Sequence, residues 1–431
     1  MLQSETVRKY DTYKDSGIEW LGEIPQVWKY AKLAWCSNFV NGYAFNSENM
    51  DIDGEVPVVR IGDIQNGKVI YDTCLKVNNN NDLDQYELKK DDIVMAMSGA
   101  TTGKLAVVDS DDKAYINQRV GIIRSKNNKF IRYCLDNDCF LQYVGLLSAG
   151  SAQPNISMGN ILDYKIPYIS YDEQQKIADY LDKKCGEIDR VIETEKLVIE
   201  KLKEYKQSII TEAVTKGLDK SVPLKDSNIE WIGKIPQHWE ICKLLKLYKE
   251  RKCKNKGNTE TNVLSLSYGN IKRRNVENNM GLLPESFETY NIIVPDNIVL
   301  RLTDLQNDHR SLRCGLVKEQ GIITSAYVTL EKKLDSISSN YYYRLLHTFD
   351  IMKGFYGMGD GVRQNLKYDG ELCNLLVVRP SQIEQQQIAE YLDKKGSEID
   401  KAIADKEQII EKFTEYKKSL IYECVTGKKR V

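Results

Sequence analysis

Histidine is nearly absent from this chain: three in 431 residues leave little material for a metal centre or a histidine acid–base pair. Ten cysteines are scattered without a Cys-x-x-Cys pair, and the closest two, Cys134 and Cys139, have no histidine cluster beside them. A zinc site has little support, and reduced, mostly structural thiols in a cytoplasmic protein are the expectation. No apolar run approaches the roughly 20 residues needed to cross a bilayer. The first residues, Met1 to Thr6, lack the basic-then-apolar order of a secretory signal. Catalytic signatures are missing too. There is no Asn/Asp-Pro-Pro-Tyr/Phe motif of amino-methyltransferases, no Gly-x-Gly-x-x-Gly opening a helix, and no convincing Ser-His-Asp or metal–carboxylate set. These absences point to binding rather than catalysis.

A global excess of positive charge is also lacking: 61 Lys and Arg face 62 Asp and Glu. That excludes little, because a polyanion responds to where cations sit rather than to their sum. Lys249, Arg251, Lys252, Lys254 and Lys256 form one basic stretch, and Lys272-Arg273-Arg274 another.

What the chain does have is a repeat. Lys14-Asp15-Ser16-Gly17-Ile18-Glu19-Trp20 returns as Lys225-Asp226-Ser227-Asn228-Ile229-Glu230-Trp231, and the block from Glu173 to Thr215 returns from Glu384 to Thr426, both at an offset of 211. Trp20, Trp28, Trp231 and Trp239, with Pro25 and Pro236 at the turns, read as packing tethers, and Glu19 and Glu230 as structural. The longer block reads as one helix with a heptad seam at Leu181, Ile188, Ile192, Ile199, Leu202 and Ile209, spaced 7, 4, 7, 3 and 7. Ser170 or Asp172 can cap its start, and Gly217 lies just past its end. The second copy carries Leu392, Ile399, Ile403, Ile410, Phe413 and Leu420. At 1.5 Å per residue each helix runs on the order of 60 Å. Neither can bury its stripe alone, so the copies are expected to pack together, with Glu195 and Lys406, the two polar seam positions, paired where they cross or else facing solvent beside the seam.

Between the repeated blocks lie two inserts whose sequences have diverged almost beyond alignment. Short apolar or β-branched runs predict strands at Val56–Ile61, Asp92–Ala96, Val120–Ile123 and Lys165–Tyr168, then at Val263–Leu266, Asn297–Arg301, Ala326–Leu330 and Leu375–Val378. Ser98-Gly99-Ala100-Thr101-Thr102-Gly103-Lys104-Leu105 is not a nucleotide-binding loop: three residues separate its glycines where four are needed, and leucine follows the lysine. It reads as a turn with Lys104 free to meet a phosphate. Several polar clusters have the chemistry to read base edges, Arg pairing with guanine and Asn or Gln with adenine. In the first insert these are Arg60 with Asp63, Asn117-Gln118-Arg119, and Gln153 with Asn155. In the second they are Tyr268 with Asn270, Lys272-Arg273-Arg274, Arg301 with Asp304 and Asn307, and Arg363-Gln364-Asn365. The plain alternative for each is a solvated loop residue.

The doubled Ile-Glu-Trp-x-Gly-x-Ile-Pro segment, Val59-Arg60-Ile61-Gly62-Asp63-Ile64, the Gly99–Lys104 turn and the doubled Glu-Gln-Gln-x-Ile-Ala-x-Tyr-Leu-Asp helix openings together resemble the specificity subunits of type I restriction-modification systems. The resemblance covers nearly the whole chain. It implies an α+β protein in which two globular α/β target-recognition domains, residues 1–170 and 218–381, are separated by two long helices, 171–217 and 382–431, packed as an antiparallel coiled coil with pseudo-two-fold symmetry. Each domain would read one half of an asymmetric bipartite DNA site. The helices would set the spacer and dock two methyltransferase subunits, with restriction subunits added. S-adenosylmethionine, ATP and magnesium are expected on those partners and none on this chain. A coiled-coil scaffold that binds only protein, and the recognition part of a fused modification enzyme, stay open as alternatives. Adding or deleting whole helical turns in both Leu181–Ile209 and Leu392–Leu420 should change the permitted spacer and leave both half-site sequences intact; selection from randomised duplexes checks this.

Overall fold

The computed structural model describes residues 9–46, 48, 50–148, 154–274, 286–307, 312–358 and 365–431. It forms two units, Met1–Glu195 with Gln408–Val431, and Lys196–Glu407. Gln153, Arg363 and Gln364 lie outside the described residues.

In the first unit a six-stranded sheet runs in the order Ser37–Asn41, Val120–Ser125, Ile93–Ala96, Leu105–Val107, Gly67–Val69, Ile64–Gln65. Ile93–Ala96 is buried along its whole length because it has a core on each face. Side chains alternate across a strand, so Ile93 and Met95 enter one apolar cluster while Val94 and Ala96 enter the other. The first cluster is covered by α1 (Asn128–Leu135) and α2 (Asp138–Ser148), with α3 (Met158–Leu162) following. Asn127 caps α1, its side chain accepting from Phe130 N at 3.1 Å.

The long helices are α4 (Tyr171–Lys216) and α6 (Gln382–Val425), and α5 (Ser339–Ile351) lies in the second unit. Ser170, rather than Asp172, caps α4: its Oγ accepts from Glu173 N at 3.3 Å. Ser381 does the same for Glu384 N, and the Glu384 carboxylate accepts from Ser381 N at 3.1 Å, a reciprocal capping box. Gly217 and Gly427 stop the helices at φ 75° and 74°, conformations that a Cβ would strain.

Within each unit one end of α4 runs antiparallel to the far end of α6. In the first, Leu181, Cys185 and Ile188 share a core with Leu420, Ile421 and Cys424. In the second, Ile210, Ala213 and Val214 share one with Ile388 and Leu392. Leu181, Ile188, Ile199, Leu392, Ile399 and Leu420 are buried, and Ile192, Leu202, Ile209, Ile403, Ile410 and Phe413 half-buried. Glu195 falls in the first unit and Lys406 in the second, both half-buried. The register pairs recorded inside the units are others: Lys417 Nζ meets Asp189 Oδ1 at 2.7 Å, and Lys206 Nζ meets Asp400 Oδ1 at 2.6 Å. These two pairs are copies of each other at the repeat offset.

The tryptophan tethers fasten each scaffold. Trp28 Nε1 donates to Glu173 Oε1 at 3.1 Å, and Trp239 Nε1 to Glu384 Oε1 at 3.0 Å. Trp28 also packs beside Gly427 and Trp239 beside Gly217, so each tether closes over the end of the long helix that belongs to the other copy of the repeat. Both rings are buried, and cutting either to alanine costs on the order of 3–5 kcal/mol. Burial alone would raise the Glu384 carboxyl, but hydrogen bonds from Trp239, His238 and Ser381 outweigh it and hold the group below the usual glutamate range.

The second insert repeats the plan that its sequence conceals. Its sheet runs Tyr248–Glu250, Val328–Lys332, Ile298–Leu300, Cys314–Leu316, matching the first four strands of the first unit in order and direction of pairing, and α5 follows where α1 does. The antiparallel pair Lys29–Lys32 with Lys165–Tyr168 likewise returns as Glu240–Lys243 with Leu376–Arg379. Asp189→Lys should lower the unfolding midpoint by a few degrees at most, since a half-exposed pair is worth roughly 0.2–1 kcal/mol. The double exchange Asp189→Lys with Lys417→Asp should restore it in a thermal melt.

Candidate nucleic-acid interface

In the first unit the loop after Ile93–Ala96 carries Ser98, which is buried and bridges Asn155. Arg119 Nη1 donates to Ser98 Oγ at 3.2 Å. Gln118, Arg119 and Asn155 thus line one open polar concavity with Asn41, Ser98 and Ser157. Their exposed amides and guanidinium offer donors and acceptors of the kind that distinguish adenine from guanine. Asn117 sits behind them. Its N–H donates to Val59 O at 2.9 Å, and its carbonyl presses so close to Gly42 that a Cβ there would lie 2.0 Å away.

Two expected contacts lie elsewhere. Arg60 serves its own turn: Arg60 N donates to the buried Asp63 at 2.9 Å, and its Nε lies 3.5 Å from the same carboxylate. Lys104 is exposed beside a different concavity, with Lys68, Arg132, Asp189 and Lys417. The Gly99–Thr101 segment before it is a 3-10 turn, which Thr102 Oγ1 closes by donating to Gly99 O at 2.7 Å.

The second unit gathers a different set on the same framework. Ile156 N donates to Met97 O at 3.0 Å in the first unit, and Leu366 N to Leu302 O at 2.9 Å in the second. Asn155 and Asn365, one residue earlier, therefore occupy equivalent places. Asn365 Oδ1 accepts from Asp304 N at 2.8 Å, and Asn307 Nδ2 donates to Asp304 Oδ1 at 2.7 Å. Arg301, Asp304, Asn307 and Asn365 are thus brought together. What holds them is Arg313, which nothing in the sequence singled out. Its buried guanidinium donates to the carbonyls of Arg301, Thr303 and Asp304, at 3.1, 2.8 and 3.3 Å.

Charge pairing changes the reading of the basic stretches. Lys249 and Arg251 both bind Glu331, and Lys252 binds Glu250. The Arg273 guanidinium is gripped by both carboxylate oxygens of Glu319. Lys272 and Arg274 are exposed, as are Tyr268 and Asn270 at the tip of the hairpin formed by Leu264–Ser267 and Asn270–Arg273. No group of three or more His, Cys, Asp or Glu among the described residues is placed to hold a metal, and all ten cysteines are free. No described helix is long and apolar enough to cross a membrane.

Residues 25–204 match the family model for the type I restriction modification DNA specificity domain. The chain is 29% identical over 224 residues to the type I restriction enzyme MjaVIII specificity subunit of Methanocaldococcus jannaschii, covering 50% of this chain and 51% of that one. It is 25% identical over 232 residues to the EcoKI specificity subunit of Escherichia coli K12, covering 52% and 48%. The aligned part therefore spans about half the length of the curated relatives. Over 93% of this chain and 98% of the other, the fold follows a chain solved in work on complex assembly and conformational transition of the type I R-M system, with a TM-score of 0.66 at 13% identity. It also follows the HsdS subunit from Thermoanaerobacter tengcongensis, with a TM-score of 0.50 at 13% identity over 94% of this chain and 98% of that one. The resemblance to type I specificity subunits read in the repeats is shown by these matches.

His347, on α5, offers a pH-dependent check of the second unit. Burial first, then the nearby charges of Arg344 and Lys206, push its ring down to about 4. The folded chain thus keeps it neutral while the unfolded chain takes up a proton below the ordinary value near 6.5. Stability is complete above that pH and is lost as pH falls toward about 4, at no more than roughly 1.4 kcal/mol per pH unit. Denaturant midpoints between pH 7 and 5 should show this slope, and His347→Gln should flatten it. In the same assay at pH 7, Arg313→Met should destabilise the chain by roughly 2–4 kcal/mol, since it strips three loop carbonyls of a buried donor.

Proposed function

We propose that this chain, a relative of the type I specificity subunits, is the sequence-specific DNA-binding subunit of a type I restriction-modification complex. Each insert reads one half of an asymmetric bipartite site. The observation that carries this reading is one framework presenting two unlike polar sets: Ser98, Gln118, Arg119 and Asn155 in the first unit, Arg301, Asp304, Asn307 and Asn365 in the second. A shared framework with different readers suits half-sites of different sequence. Lys104, Lys272 and Arg274 supply phosphate contacts, which position the protein and make affinity fall with salt.

The chain is non-catalytic by itself and acts in the cytoplasm. Its partners are double-stranded DNA, two methyltransferase subunits and the restriction subunits. S-adenosylmethionine, ATP and magnesium belong to those partners, and adenine is extruded from the duplex by the methyltransferase. The repeated blocks, present twice, suit the docking of two copies of one partner.

Selection from randomised duplexes, by the full chain with its methyltransferase, should enrich two unlike short sequences at a fixed separation. Arg119→Ala should relax one position of one half-site, at roughly 1–3 kcal/mol, and leave the other half-site unchanged. Enrichment of no bipartite motif would favour a protein-binding scaffold. Methylation by this chain alone would favour a fused enzyme.

A further inference from the structure

Tyr268 occupies a position that its own backbone disfavours. The hairpin closes with Ser267 opposite Asn270, leaving Tyr268 and Gly269 as a two-residue loop with φ 46° and 77°. Such loops need positive φ at both places and favour Asn-Gly. The chain uses that very pair at Asn66–Gly67, φ 51° and 76°, between Gln65 and Lys68. Among the described residues, the non-glycine positions with positive φ are otherwise Asn, Asp or Lys353, so Tyr268 is the only aromatic among them. A left-handed backbone brings the Cβ of an L-residue too close to the following carbonyl oxygen, so a bulky residue there is strained.

Nothing among the described residues accounts for the ring. It is 75% exposed, and it makes no ring contact or hydroxyl hydrogen bond among the described residues. The turn beneath it is firmly held. Asn270 Nδ2 donates to Tyr268 O at 3.1 Å and Tyr343 Oη to Gly269 O at 3.3 Å. Gly269 backs onto His347 and Leu312, while Leu266 and Ile271 close over Gly315. Leu312 adjoins Arg313, which organises the Arg301–Asp304 carbonyls, so the tip belongs to the same end of the unit as that polar set. The segment Leu264–Arg274 contains no acidic residue, and Lys272 and Arg274 are exposed on it.

We propose that Tyr268 is a stacking finger, whose ring lies against a base in the half-site read by the second unit. This rests on the DNA-recognition reading and adds a mode of contact to it. A rigid, exposed aromatic tip on a hairpin that carries cations and no acid of its own suits a polyanion with flat apolar faces; Glu319, from outside the hairpin, neutralises Arg273. Stacking asks nothing of the hydroxyl and tolerates several bases, so Tyr268 contributes affinity and local distortion more than sequence choice.

Three full-length variants test this on the duplex enriched by the wild-type chain. Tyr268→Phe should bind within twofold of wild type. Tyr268→Ala should lose roughly tenfold, with 2-aminopurine placed along the second half-site losing its binding-induced fluorescence change at one step. Tyr268→Asn suits the turn, so it should melt slightly above wild type and yet bind as weakly as the alanine variant. A purely structural tyrosine could not separate stability from binding in that way. Unchanged DNA affinity in Tyr268→Ala overturns the finger and leaves the recognition reading standing, and so does a defect confined to capture of the methyltransferase. Failure of the wild-type chain to enrich any duplex overturns both.

Discussion

A helix of 46 residues with one apolar stripe cannot keep that stripe from water alone, and the architecture follows from what covers it. Within each unit the cover is the far end of the other long helix, running antiparallel. This constraint explains why the scaffold is present twice. The Lys417–Asp189 and Lys206–Asp400 pairs mark the same register in both units with the same two residue types. The tryptophan tethers then fix each globular part to the start of a long helix through Glu173 or Glu384, so that the sheets inherit their placement from the helices.

On that scaffold the sheets are free to differ wherever the core is not involved. The run Ile93–Ala96 and its counterpart Ile298–Leu300 must be apolar because each has packing on both faces. The loops that leave these strands carry no such requirement. There the first unit offers Arg119 anchored on Ser98, while the second offers a loop pinned by Arg313 from below. Equivalent asparagines, Asn155 and Asn365, mark where the two frameworks still coincide. Differences between the two polar sets are thus concentrated at the ends of shared strands, where change costs the fold least.

Much of this was legible in the sequence, for physical reasons. The heptad spacing declares the helices, and unbroken apolar runs declare the central strands, since both signals are local. Likeness between the inserts was hidden, because a sheet requires only buried apolar residues at the right places and not particular ones. Arg313 was invisible since its acceptors are backbone carbonyls about ten residues away, brought near only by the fold. The pairing of the basic stretch near Lys249 is hidden for the same reason: Glu331, which binds Lys249 and Arg251, lies 80 residues from Arg251 in the chain. In the sequence Tyr268 with Asn270 reads as one of several polar clusters, whereas the informative property, its left-handed backbone, has no local signature.

The central claim is a division between a repeated scaffold and two interchangeable readers, and exchanging a reader tests it most directly. A chain in which the second insert is replaced by a copy of the first, joined at equivalent points of the repeat, keeps every scaffold contact in kind. With a thermal melt confirming a cooperative fold, selection from randomised duplexes should return a site made of two copies of the half-site assigned to the first unit. Return of the original asymmetric site, with its second half-site intact, would contradict the account.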